Sequence, residues 1–321
     1  MTATDLLPPE LVERAALELN ETPQSRAAGL EALHEHYAAH PDQRPHRTDD
    51  PYLLMFLRWA KFDPQKALGR LAALERWMHD CRDTLGDVAQ LRGEAFADIM
   101  AQGFMCNLLS PEHRARDGAA VTLLRPRHLL QVQDPSVILR LHMWHMMRAV
   151  HDPYIQVCGR VVAPSFHGMT LSQGLAVRRK VPAWVLKQHF RFLQECMPFR
   201  LRGVWLVYQP SWFNLLFTFI RPFLGPKVRS RIRLLGDNAA AMAELMEPDH
   251  MPAGDMPGGT GADCGQEWFR RELAREAAEL GTGGKEVEGR VAEVGAAGEG
   301  QEAVRKEAEA EGAGPEQEGA T

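Results

Sequence analysis

Between residues 120 and 236, short β-prone runs alternate with helical stretches, and this alternation restricts the chain to few architectures. Val121-Thr122-Leu123-Leu124 is bounded by Asp117-Gly118 and Pro126, which is a strand signature. Val137 to Val150 is predicted as a helix, and its Leu139, Leu141, Met143, Trp144, Met146 and Met147 make it too apolar for a protein surface. A strand at Arg160 to Ala163, a helix at Pro182 to Glu195, a strand at Val204 to Tyr208 and an aromatic helix from Trp212 follow. Parallel strands need long crossovers and helices supply them, so the expected fold is α/β: a largely parallel or mixed sheet covered by helices.

Residues 1 to about 95 carry helical signals instead. Pro9-Glu10 opens one helix, with Leu11, Ala15 and Leu19 near helical spacing, and Pro23 ends it. Thr48-Asp49-Asp50-Pro51 and Asp63-Pro64 are helix starts, because Asp can cap exposed amides and Pro suits the first turn. The reading divides the chain into a small helical domain at 1–95, an α/β domain at 96–275 and an acidic Gly/Ala/Glu-rich tail at 276–321 expected to be disordered.

Hydrophobic residues make up 45% and charged residues 25% of the 321 positions, an ordinary globular balance. No apolar run approaches the length of a membrane span; the longest candidate is Trp212 to Ile220. Asp5 and Glu10 precede any apolar stretch, so no secretory signal is expected. The five cysteines are scattered without zinc-ligand spacing and suit reduced thiols in a cytosolic protein.

Charge is distributed unevenly. Residues 153–236 hold 13 Lys and Arg against one acid, Glu195, inside a chain of net charge −5. A basic block in an acidic protein points to an anionic partner: a membrane surface, a phosphorylated ligand or nucleic acid. Its densest part is Arg221 to Arg233. On a helix, Lys227 and Arg231 would share one face, with Arg229 and Arg233 in a second row. Arg200 and Arg202 stand just before the strand at Val204.

Enzyme motifs fail on inspection. Gly284-Lys285 is followed by Glu286 rather than Ser or Thr, and no glycine-rich phosphate loop follows a strand. Ser172 has Thr170 where a nucleophile elbow needs Gly. His36/His40 and His142/His145 have helical spacing, but two ligands are not a metal site. His142 and His145 are either core histidines or polar handles on a ligand cavity. The helix from Trp212 is either buried core or a membrane-docking lid over an apolar cavity.

These residues resemble the CRAL-TRIO lipid-transfer family, nearest to the group containing α-tocopherol transfer protein, clavesins and cellular retinaldehyde-binding protein. The likeness spans roughly residues 5–275. It rests on Arg47 to Asp63 (RTDDPYLLMFLRWAKFD), on Gln209 to Leu224 (QPSWFNLLFTFIRPFL), and on Lys227-Val-Arg-Ser-Arg231-Ile with Gly236-Asp-Asn. Further support comes from Pro198 to Gly203, Met251-Pro252, Gly258-Gly259 and Gln266-Glu267-Trp268. The chain departs from the family at Ala163-Pro164-Ser165, where an acidic strand end is usual, and at Met78, a basic position in the tocopherol protein.

The resemblance implies a helical domain followed by an α/β domain whose sheet floors a pocket for one hydrophobic molecule, such as a tocopherol or a retinoid. It places pocket residues at Leu139, His142, Met143, Met146, Phe192 and Leu193. The gate helix carries Phe213, Leu216, Phe217, Ile220 and Phe223. A phosphoinositide-binding patch falls on Arg200, Arg202, Lys227, Arg229 and Arg231. The expectation is a non-enzymatic, monomeric cytosolic lipid carrier that needs no cofactor or metal, binds no nucleic acid and visits membranes transiently. The alternative is an interaction module on the same fold with a vestigial pocket.

Overall fold

In the computed structural model, which describes residues 7–108 and 112–281, prolines and capping side chains start three N-terminal helices where the sequence predicts them, whereas Pro23, read as the end of the first helix, opens another behind the Thr22 cap. These are α1 (Pro9–Leu19), α2 (Pro23–Ala39), α3 (Asp50–Trp59) and α4 (Pro64–Asp80), followed by the short α5 (Arg82–Leu85) and α6 (Ala97–Ala101). The Asp49 carboxylate accepts from Tyr52 N and that of Asp63 from Lys66 N, each satisfying an amide that the first helical turn leaves free.

A five-stranded sheet follows, in the spatial order β1-β2-β3-β4-β5. β1 (Met105–Asn107) is antiparallel to β2 (Ala120–Leu124), while β3 (Arg160–Pro164), β4 (Leu201–Val207) and β5 (Ile232–Gly236) continue in parallel. The mixed α/β class expected from the alternation is therefore the observed one. β1 and β5 escape the sequence reading, since β1 is three residues long and β5 is masked by Arg231 and Arg233.

Each parallel step leads to the next strand along, so crossovers of one hand set the connecting helices on one face. These are α7 (Val137–Arg148) and α8 (Pro153–Cys158), then α9 (Leu171–Lys180) and α10 (Ala183–Arg191) with a wide π-type turn at Phe192–Cys196, then α11 (Phe213–Ile220) and α12 (Pro226–Arg229). The opposite face, carrying Val121, Leu123, Val161, Ala163, Trp205 and Val207, packs on Met242 of α13 (Ala239–Ala243) and on Met246, Met251 and Met256. At Gly159 a side chain is impossible: φ is +84°, and a Cβ would stand 2.5 Å from the Arg200 carbonyl.

The helical N-terminal region and the α/β region share one apolar cluster. Tyr52, Phe56, Leu74 and Trp77 belong to it together with Leu139, Met143, Trp144 and Phe192. Trp77 Nε1 donates to Gln188 O at 3.1 Å, and its ring centroid lies 4.8 Å from that of Phe192. A buried ion pair, Arg58 with Glu21 at 2.9 Å, extends to Gln156 Oε1 at 2.5 Å and ties α3 to α8.

The expected tail boundary at residue 276 falls inside a helix. α14 (Gly265–Leu280) continues because its last two turns are anchored: Glu276 accepts from Trp144 Nε1 and from Gly93 N, both at 2.8 Å, and Glu279 pairs with Arg148 at 2.7 Å. The remainder of that tail lies outside the described residues.

Candidate lipid cavity and basic surface

A cavity of about 230 Å³ lies between the sheet and the crossover helices. Its floor is the sheet face formed by Leu124, Val162, Pro164, Val204, Leu206 and Ile232. Alternation along a strand puts these residues on one side and the Met-packed set on the other. Its walls are Ile138 of α7, Val185, His189 and Phe190 of α10, and Val177 of α9, and its roof is Phe213, Phe217 and Ile220 of α11 with Leu224. The polar side chains in this lining are Arg178, His189 and Gln194. A space so lined accepts hydrocarbon, because it offers few hydrogen bonds to water.

Of the six expected pocket residues, Leu193 lines the cavity. Leu139, Met143, Met146 and Phe192 are buried one layer behind it, in the cluster shared with the N-terminal helices. α7 is apolar on nearly every face, so periodicity does not reveal which residues look toward the sheet; Ile138 does. His142 also stands behind the wall, with Nε2 2.6 Å from Nδ1 of His189, whose ring reaches the cavity. Burial, then the charges of His189, Arg160 and His145, hold His142 well below the ordinary imidazole range. Burial pushes His189 down to about 4. Both rings are therefore neutral at pH 7, one nitrogen donating and the other accepting. The second pair, His36 and His40, stacks at 4.6 Å and bonds to Gln43 Oε1 and to the backbone of its own helix.

The roof is held at both ends. At its start, Gly174 of α9 abuts Trp212, where an added Cβ would be 2.8 Å from the indole. At its end, Gln194 accepts from Gly225 N at 2.6 Å and donates to Phe223 O at 2.7 Å. Phe213, Phe217 and Ile220 line the cavity, whereas Phe223 stacks on Phe190 at 6.1 Å outside the lining. The Leu216 side chain lies outside the described part. On the outer side, Leu215 and Phe219 are 52% and 43% exposed, and Arg178 lies 5.4 Å from the centre of the Phe219 ring. Gly174 and Gln194 carry no motif, and sequence reasoning misses both.

The basic residues do not form the expected helical rows. α12 ends at Arg229 and Ile232 opens β5, so Arg231 lies in the turn between them, outside the helix that carries Lys227, and no i,i+4 row exists. Arg200, Arg202 and Arg231 gather instead where β4 and β5 begin. Arg231 is held below the usual guanidinium range by burial and by the charges of Arg202 and Arg200. Two of the three are matched by acids: Arg200 pairs with Glu18 at 2.8 Å and Arg202 with Asp117 at 3.0 Å, while Arg231 donates to Leu201 O. Lys227 and Arg229 are exposed, as are Arg221 and Arg233. Arg76 is exposed on α4, next to the half-buried Met78.

This sandwich of helices over a mixed sheet, with an apolar chamber under an aromatic helix, coincides with a family signature. The CRAL/TRIO domain model matches residues 106–254. Those residues form a CRAL/TRIO domain. Clavesin-2 from Homo sapiens and from Rattus norvegicus are each 29% identical to the chain over 248 residues, covering 77% of it and 73% of their own length. Clavesin-1 from Xenopus laevis is 29% identical, with 77% and 72% covered. In fold, the crystal structure of Sfh5 superposes with a TM-score of 0.51 at 11% identity, covering 81% of this chain and 99% of that one. CRAL/TRIO proteins are lipid-binding proteins, and the apolar cavity of this domain is the chamber under α11. Among the described residues no helix is long and apolar enough to cross a membrane.

Proposed function

We propose that this chain is a non-enzymatic carrier that holds one hydrophobic molecule, of tocopherol, retinoid or similar size, under α11 and exchanges it at phosphoinositide-containing membranes. The observation that carries this reading is the chamber itself: 25 of its 28 lining residues are apolar, and its roof is a single aromatic helix. A ligand burying a few hundred Å² there gains several kcal/mol at roughly 25 cal/mol per Å². Docking is supported by the exposed Leu215 and Phe219 on the outer side of that roof, close in sequence to Arg221, Lys227 and Arg229. Apolar side chains insert, and each cation near an anionic leaflet adds roughly 1 kcal/mol.

The vestigial-pocket alternative requires a space filled by the protein's own side chains; Pro164 and its neighbours instead border open volume. Native mass spectrometry of the purified protein, with organic extraction and lipid identification, tests the reading. A stoichiometric hydrophobic molecule supports the carrier. An apo mass that persists after incubation with tocopherol, retinoid and phosphoinositide panels overturns it.

A further inference from the structure

The sheet face that floors the cavity changes character along its length. Val162 and Pro164 line the cavity from β3, and residues two apart on a strand share a face, so Arg160 projects from that face at the first position of the strand. Arg160 is 5% exposed. Every side-chain contact recorded for its guanidinium is to a neutral group: Nη1 to His145 Nδ1 at 3.2 Å and to Met197 Sδ at 3.8 Å, and Nη2 to Asn107 Oδ1 at 3.5 Å. Its Nε, and Nδ2 of the neighbouring Asn107, have no partner among the described residues.

The chain's other buried arginines are treated differently. Arg58, Arg125 and Arg148 each meet a carboxylate within 3.1 Å. A buried cation without a counter-charge is costly, and so are buried donors without acceptors. Burial lowers the Arg160 pKa to about 9, which leaves it a cation at neutral pH. Met197 touches both the guanidinium and the cavity, and Leu201, which pairs with Arg160 across the ladder, also lines the cavity. A methionine is the side chain best able to swing aside, being unbranched and flexible. The apolar chamber thus ends, behind one movable thioether, at a positive charge that no acid among the described residues meets, with two donor nitrogens left unpartnered.

We propose that Arg160 and Asn107 receive the carboxylate of a long-chain acidic lipid whose hydrocarbon tail occupies the apolar cavity. This rests on the cavity being a ligand chamber, and it narrows the class of ligand. One unmatched cation calls for one negative charge. A carboxylate supplies it on two oxygens, one for Arg160 Nε and one for Asn107 Nδ2. The dianionic phosphomonoester would need a second cation, and the one arginine in the cavity lining, Arg178, stands against Phe219.

The test uses the delipidated full-length protein titrated with oleate and with oleyl alcohol, a neutral probe of the same chain length. Wild type is expected to bind oleate at least about tenfold tighter. Arg160→Met should remove this preference by weakening oleate while leaving the alcohol unchanged. Asn107→Asp, which supplies an internal counter-charge and keeps the arginine, should remove it as well, so the result does not depend on the first variant folding. Equal affinity of wild type for both probes overturns the carboxylate site while leaving the chamber reading intact, as does an oleate preference that survives in a folded variant. Binding of neither probe overturns both.

Discussion

Arg200 at the head of β4 is ion-paired to Glu18 on α1 at 2.8 Å, so part of the basic block that dominates the sequence is already neutralised by the protein itself. Burial alone would raise the Glu18 pKa, but the hydrogen bond to Arg200 and the charges of Arg14 and Arg200 hold it below the usual carboxylate range. Glu18→Gln should therefore strengthen binding to anionic vesicles, by up to about fivefold if one cation is freed. Co-sedimentation with phosphoinositide vesicles at two salt concentrations checks this, and a gain that persists at high salt would argue against an electrostatic origin.

Reversing two exposed cations should act in the opposite direction. Lys227→Glu with Arg229→Glu is expected to weaken vesicle binding by about tenfold or more while leaving bound lipid in place. Extraction of lipid from the double variant separates the two roles. Unchanged vesicle binding would remove this surface from the docking mechanism.

The contact between Gly174 and Trp212 sets how closely α11 can settle on α9. Gly174→Leu should force the base of the roof outward, at a cost of about 1–3 kcal/mol. The expected outcome is faster lipid release and altered tryptophan emission, followed by stopped-flow transfer to acceptor vesicles. Release at the wild-type rate would mean that the roof opens elsewhere.

Gln194 clamps the other end through Gly225 N and Phe223 O. Gln194→Leu keeps the volume and deletes both bonds, together with a third to Phe190 O, leaving the Phe223 carbonyl and the Gly225 amide without this partner; the expected loss is about 1–3 kcal/mol of stability. Amide exchange at 223–225 should accelerate in this variant while that of β3 remains slow.

Buried neutral histidines make stability depend on pH. His189, His128 and His151 are each pushed down to about 4, principally by burial, and His142 and His145 lie well below the ordinary range. Because the folded values are lower than the unfolded ones near 6.5, the unfolded chain binds more protons. Stability is then lost as pH falls from about 6.5 toward 4, by about 1.4 kcal/mol per pH unit for each fully titrating histidine. Thermal melts between pH 7 and 4.5 check the slope, and His189→Phe should flatten it.

How much was legible before the structure follows from the range of each signal. Caps at Asp49 and Asp63, the strand at Val121–Leu124 and the aromatic helix after Trp212 depend on residues within a few positions of one another, so the α/β class and the existence of α11 can be read from the chain alone. Sequence likewise concentrates positive charge in one block and keeps the cavity wall apolar. Which face of α7 meets the cavity is not a local property: Leu139 and Ile138 are equally apolar, and only packing against the N-terminal helices turns one away and the other inward. Charge is decided the same way. Arg200 is matched by Glu18, 182 residues away, whereas Arg160 is left without an acid by neighbours drawn from β1, α7 and the turn before β4. Composition fixes how many charges a chain carries, but the tertiary fold decides which of them meet, because electrostatic partners are chosen by distance in space rather than along the sequence.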